Sequence, residues 1–142
     1  MKILVVGAGA IGSLFAGKLA GSGMDVTLLA RGNRLQDIAK YGLRLQKSTS
    51  STVEQYPVRS IASLAVDARY DYVLVVVQRT QIESLIPMLA ANCSPNFVFM
   101  VNTASGYQAY IDAVGENRVM VAFPSAGGEV DDLPYQIAIP LE

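Results

Sequence analysis

Apolar residues come in short unbroken runs that alternate with stretches where they recur every three or four positions. Ile3 to Val6 is the first run, bounded by Gly7, and it predicts a strand buried on both faces. From Ala10 to about Ala20 the apolar residues Ile11, Leu14, Phe15 and Leu19 fall at helical spacing, and Gly21 and Gly23 supply a stop and a turn. Val26 to Ala30 predicts a second buried strand. Arg31-Gly32-Asn33 then opens a second helix to about Lys40, with Asn33 as its expected N-cap. Gly42 to Gln46 and Val53 to Ile61 read as two strands around the polar stretch Lys47 to Thr52, a loop or hairpin tip. Asp71 to Val77 is the most apolar segment and predicts a central strand. Helical spacing returns from Gln81 to Ala91 through Ile82, Leu85, Ile86 and Leu89, with Pro87 expected to kink the helix. Asn96 to Val101 predicts another strand, a short helix follows Gly106, and strands are expected near Arg118 to Ala122 and Tyr135 to Ile139.

Strands alternating with helices at this pitch predict an α/β fold, a doubly wound and mostly parallel sheet. Right-handed crossovers place helices on both faces. Ligands in such sheets bind beyond the carboxyl ends of the strands, where the strand order reverses. That rule points to the residues just after Val6, Ala30, Val77 and Val101. No internal repeat and no interior linker interrupts the pattern, so residues 1–142 read as one domain.

Composition narrows the function classes. The chain of 142 residues is long enough for a core, with 51% hydrophobic and 16% charged residues. A net charge of -1 argues against a nucleic-acid or membrane-surface partner, since both call for a basic face. Histidine is absent, and the single cysteine, Cys93, excludes an internal disulfide and a thiolate-cluster metal site, so no metal is expected. The apolar run after Met1 is too short for a secretory signal, and none approaches the roughly 20 residues of a membrane span. A cytoplasmic location is therefore expected. The chain stops at Ile137-Ala138-Ile139-Pro140-Leu141-Glu142, directly after a strand-like segment and without a polar tail. That ending favours a fragment cut at a domain boundary over a small complete protein.

The first candidate chemistry lies in Gly7-Ala8-Gly9-Ala10-Ile11-Gly12, which fits G-x-G-x-x-G between a strand and a helix. The first glycine of such a loop permits a tight turn, the second leaves room for a pyrophosphate, and the third lets helix and strand pack closely. The helix start offers unpaired N–H groups and a positive dipole end to phosphates. A Rossmann-type dinucleotide site is the reading, against a turn selected only for packing. At the end of the second strand the sequence reads Leu28-Leu29-Ala30-Arg31-Gly32-Asn33-Arg34, with no acid to bind a ribose 2′-hydroxyl. A guanidinium there binds a 2′-phosphate by paired, charge-assisted hydrogen bonds, so Arg31 predicts NADP(H). Arg34 is either a second phosphate contact or an ordinary exposed face of the helix.

These residues, with Leu29-Ala30-Arg31 and Gly42-Leu43-Arg44-Leu45, resemble the amino-terminal half of ketopantoate reductases, and the resemblance runs through the whole chain. It implies an NADPH-dependent oxidoreductase that reduces ketopantoate to pantoate in pantothenate biosynthesis. It also implies a Rossmann domain followed by a helical substrate domain, which these 142 residues do not contain. The family's general-acid lysine and a substrate-binding acid lie in that second domain. Three motif positions carry over. Gln78, in Val77-Gln78-Arg79, stands where the family usually has a lysine near the cofactor. Asn102 keeps the family's asparagine but lacks the glycine after it, and is suited to a nicotinamide ribose or substrate hydroxyl, or to a cap or turn. Gly127, in Ser125-Ala126-Gly127-Gly128, lets backbone approach the nicotinamide side, or simply forms a turn.

The expected reaction is hydride transfer to a small 2-keto acid, which needs a proton donor at the developing alkoxide. No residue of the chain is assigned that role. Lys2, Lys18, Lys40 and Lys47 fall away from the expected cleft, and Tyr107 and Tyr110 are expected to pack a helix. The domain alone should bind NADPH without turnover. Two rivals stay open: a non-catalytic NADP-binding regulatory module, and a reductase of the same superfamily acting on another 2-keto acid. A homodimer is also left open.

Overall fold

The structure, a computed structural model, describes residues 1–47, 49–130 and 136–139. Ser48 in the polar stretch, Tyr135 at the start of the expected last strand, and Pro140 to Glu142 lie outside the described residues. Chain order gives β1 (Lys2–Val6), α1 (Ala10–Gly21), β2 (Asp25–Leu29), α2 (Gly32–Tyr41), β3 (Leu43–Lys47), β4 (Val53–Tyr56) and β5 (Arg59–Ile61). It continues with β6 (Tyr72–Val75), α3 (Arg79–Ala91), β7 (Phe97–Phe99), α4 (Gln108–Val114), β8 (Val119–Val121), β9 (Glu129–Val130) and β10 (Gln136–Ile139).

Six strands form a parallel sheet in the order β5-β2-β1-β6-β7-β8. The chain moves outward from β1 to β2 and β5, then returns to β6 beside β1, so the order reverses between β1 and β6. The alternation within β1 shows how both faces are covered. Leu4 and Val6 join a core with Ile82, Leu85 and Leu89 of α3 and Tyr110 and Val114 of α4. Ile3 and Val5 join the opposite core, with Ala16 of α1 and Ile38 of α2. The central strands β1 and β6 are almost wholly apolar because neither of their faces meets water, whereas the edge strands β5 and β8 are partly exposed. This is the expected doubly wound fold.

Three features depart from the sequence expectation. Val53 to Ile61 is not one strand: it divides at Pro57, and its halves join different sheets. Proline has no N–H to continue a ladder, and the Val58 N–H turns back to the Tyr56 carbonyl at 2.9 Å. β4 pairs antiparallel with β3, whereas β5 adds to the parallel sheet beside β2. Second, β10 is not part of the main sheet. It lies parallel to β3 in a four-stranded sheet of order β4-β3-β10-β9, in which the two-residue β9 was not anticipated. Third, α2 begins two residues earlier than an Asn33 cap implies. Its N-cap is Arg31, with no side-chain cap, so Asn33 lies inside the helix.

The second sheet explains the composition of α1, which is covered on two sides. A Cβ on Gly17 would lie 2.6 Å from Leu45 Cδ1, and one on Gly21 would lie 2.7 Å from Tyr56 Cε1. The helix therefore keeps glycines where β3 and β4 cross it. Lys18 closes the same contact, donating to Glu54 Oε2 at 2.7 Å and to the Tyr56 hydroxyl at 3.1 Å. α3 continues through Pro87 without ending.

Candidate functional site

The glycine loop sits at the point where the strand order reverses. β1 runs out at Val6, and Gly7 turns with φ 111°, a conformation L side chains rarely adopt. A Cβ there would lie 2.2 Å from the Val76 carbonyl oxygen, so Gly7 is also fixed by the close approach of the chain beyond β6. A Cβ on Gly12 would fall 1.9 Å from the Gly7 carbonyl oxygen, which ties the first turn of α1 to the end of β1. Gly9 differs from both. Its backbone is extended, at φ -76° and ψ -172°, and a Cβ on it would meet nothing within 4 Å. Packing explains Gly7 and Gly12 whatever the site binds. Only the open space beside Gly9 speaks directly for a ligand.

Around this loop lies a cleft of about 760 Å³ at the carboxyl ends of β1, β2, β6 and β7. It brings together every residue singled out from sequence: Gly7, Ala8, Gly9, Ala10, Ile11, Gly12, Arg31, Gln78, Asn102 and Gly127. Three helices start at its edge. The N-caps of α1, α2 and α3 are Gly9, Arg31 and Gln78, none with a side-chain cap and none followed by an acid in the first turn. Their first N–H groups have no partner within the helix, and their dipoles favour negative charge. Arg31, Arg34 and Arg79 add three cations, and no aspartate or glutamate lines the cleft among the described residues. The arrangement suits an extended polyanion.

Individual positions sharpen this picture. Arg31 is exposed at the end of β2. Arg34 is not an ordinary exposed cation: half-buried at the cleft, it donates from Nε to the Ala8 carbonyl at 3.0 Å and from Nη2 to the Ser13 hydroxyl at 2.9 Å. Gln78 and Arg79 open α3 side by side and both line the cleft. Asn102 does not cap α4, whose N-cap is Tyr107. Tyr107 and Tyr110 pack as expected: Tyr110 stacks on Phe99 with centroids 5.0 Å apart, and the Tyr107 hydroxyl donates to the Val101 carbonyl at 2.8 Å. Lys2, Lys18, Lys40 and Lys47 stand outside the cleft. Its described lining contains no lysine, tyrosine, cysteine or carboxylate, hence no side chain ready to give up a proton.

Sequence reasoning missed Met100 and Pro124, which line the wall together with Gly128 of the Ser125–Gly128 motif. It also missed how Arg34 is used. The usable signal was position, because Arg34 lies one helical turn after Arg31 on a helix that starts at the cleft. No helix of the described residues is long and apolar enough to cross a membrane.

Comparisons with known proteins agree with this fold. The family model for ketopantoate reductase PanE/ApbA matches residues 3–133. A 2-dehydropantoate 2-reductase of Pyrococcus horikoshii is 46% identical over 61 residues, covering 43% of this chain and 20% of that protein. One from Mesorhizobium japonicum is 39% identical over 90 residues, covering 63% of this chain and 26% of that protein. Among solved structures, the PanE/ApbA family ketopantoate reductase of Ralstonia eutropha JMP134 superposes with TM-score 0.83 at 27% identity, over 98% of this chain and 46% of that one. The chain thus spans about half the length of that relative. The family is one of NAD(P)H-dependent reductases. With the matched region running from β1 to beyond β9, the chain belongs to the ketopantoate reductase family.

Proposed function

We propose that residues 1–142 are the NADP(H)-binding domain of a 2-dehydropantoate 2-reductase, which transfers hydride from NADPH to ketopantoate or a closely related 2-keto acid. The observation that carries the proposal is the open space at Gly9, set among three uncapped helix starts and three arginines. The backbone amides of Gly7 to Gly12 receive the pyrophosphate, and the start of α1 supplies the field. Arg31 pairs with the 2′-phosphate at the end of β2, where a carboxylate would repel it. Asn102 fixes the nicotinamide ribose or a substrate hydroxyl, and Gly127 lets the chain approach the nicotinamide side. Gln78 offers a neutral hydrogen bond in place of a lysine, and Arg79 supplies the nearest charge.

When bound, the cofactor supplies the hydride, and the protein's part is to orient it and exclude water. The proton donor and the substrate-binding acid are assigned to the helical half that the family resemblance implies. The whole protein works in the cytoplasm on a small keto acid. Match of the family model over residues 3–133 favours this reading over a non-catalytic binding module.

The test uses two proteins. The chain of 142 residues should quench or shift NADPH fluorescence on binding and show no ketopantoate-dependent oxidation. A protein that carries the helical half as well should oxidise NADPH with ketopantoate in preference to a panel of other 2-keto acids. Oxidation with a different keto acid and none with ketopantoate would remove the substrate assignment and leave the binding domain standing.

A further inference from the structure

We infer that Arg34 is a positioning residue for the glycine loop: it braces the Ala8–Gly9 peptide against α1 and α2, and does not itself read the 2′-phosphate. The inference rests on the dinucleotide reading of the cleft. It begins from a weakness in the loop. Gly7 and Gly12 are held by close backbone approach, whereas a Cβ on Gly9 would meet nothing within 4 Å and the bond its carbonyl accepts from the Ser13 N–H at 2.9 Å fixes the peptide after it, not the one before. Glycine also has the greatest backbone freedom of any residue. The residue that leaves room for a ligand therefore leaves the Ala8–Gly9 peptide in need of another restraint.

Arg34 supplies the missing restraint. Its Nε donates to the Ala8 carbonyl at 3.0 Å and its Nη2 to the Ser13 hydroxyl at 2.9 Å. Ala8 lies at the entry to the loop and Ser13 on the first turn of α1, so one planar guanidinium spans the segment from the start of α2. The peptide bonds are trans, so the Gly9 N–H points opposite to the Ala8 carbonyl. Fixing that carbonyl on Arg34 fixes the direction of the amide. A rotated peptide would turn a carbonyl oxygen toward the place a phosphate should occupy.

Ser13 gives independent support. It is fully buried inside a helix, where serine is a weaker helix former than alanine. Its hydroxyl is satisfied by Arg34, which accounts for a polar residue at that position. A lysine at position 34 could not make both contacts from one plane.

The test is a paired titration with NADPH and NADH on Arg34→Met, which keeps the apolar stem and removes the fork, with circular dichroism to confirm folding. The account expects both cofactors to bind about ten-fold more weakly, with their ratio unchanged. Ser13→Ala, which removes one contact and favours the helix, should weaken both by about three-fold. In the ligand-free protein, amides of residues 7–13 should exchange faster in Arg34→Met while those of β6 and β7 do not. Loss confined to NADPH would make Arg34 a 2′-phosphate contact and overturn the proposal. So would unchanged affinities, or unchanged exchange in the loop. If the parent protein binds neither cofactor, the dinucleotide reading falls, and the exchange measurement alone decides whether Arg34 braces the loop.

Discussion

Gly9→Ala and Gly12→Ala should have opposite consequences, although both remove a glycine from one six-residue loop. At Gly9 the added methyl meets nothing within 4 Å, and φ -76° is ordinary for alanine. Loss of a favourable N-cap residue costs about 0.5–1 kcal/mol. The stiffer unfolded chain returns about 0.4–1 kcal/mol. Folding stability should therefore stay within about 1 kcal/mol of the parent. Binding should suffer, because the methyl fills space that a pyrophosphate needs against the backbone. Overpacking of about 2–3 kcal/mol corresponds to roughly a 30- to 150-fold weaker NADPH complex. At Gly12 the methyl would fall 1.9 Å from the Gly7 carbonyl oxygen, which is backbone and cannot swing aside. That variant should lose about 3 kcal/mol or more of folding stability, at the upper end of overpacking penalties. Urea denaturation and NADPH titration on both proteins separate the cases. Unchanged NADPH affinity in Gly9→Ala, or equal destabilisation of the two, would refute the claim that only Gly9 makes room for a ligand.

The remaining predictions concern stability away from the cleft. Asn92 is buried beyond the amino end of β7, donates to the Ala65 and Ala68 carbonyls at 2.8 and 2.7 Å, and accepts from the Ser94 N–H at 3.0 Å. Asn92→Ala strands these groups and should cost about 2–4 kcal/mol in urea denaturation, with NADPH affinity unchanged at concentrations where the variant is folded. The contact between α1 and the second sheet should be pH-dependent. Hydrogen bonds from Lys18 and Tyr56 hold the Glu54 carboxyl below its ordinary pKa of 4.5, so its contribution is present above that value and fades as pH falls through the depressed one. Lys18 is raised above 10.5, chiefly by Glu54, so its contribution is present below that value and fades as pH rises through the raised one. Glu54→Gln should accordingly lower Tm slightly at neutral pH, and the difference should vanish in acid.

What was legible in the sequence was what depends on neighbours along the chain. Ile3 to Val6, the glycines and the apolar spacing of α1 define a strand, a turn and a helix within some twenty residues, so β1, the loop and α1 stand where the pattern puts them. Arg31, Gln78 and Asn102 were located because each lies two or three residues beyond a strand, and parallel strands deliver such positions to one edge. Contacts made between distant segments left no such trace. The second sheet joins β3 to β10 across most of the chain, and nothing local to Leu43–Lys47 names that partner. For Arg34 the sequence left a phosphate contact and an exposed helix face open, because its acceptor, Ala8, lies 26 residues away. The division of Val53 to Ile61 was visible in Pro57, but β-branched and aromatic residues on both sides of it (Val53, Tyr56, Val58, Ile61) hid it.

The most direct test of the account compares NADPH with NADH on the unmutated chain and on Arg31→Ala at fixed ionic strength. Charge-assisted hydrogen bonds of about 1.5–3 kcal/mol to a 2′-phosphate correspond to a roughly 10- to 150-fold preference for NADPH. The account predicts that preference in the parent, its collapse in Arg31→Ala, and little change in NADH affinity. Equal affinity for the two cofactors in the parent, or a preference that survives removal of Arg31, would contradict it.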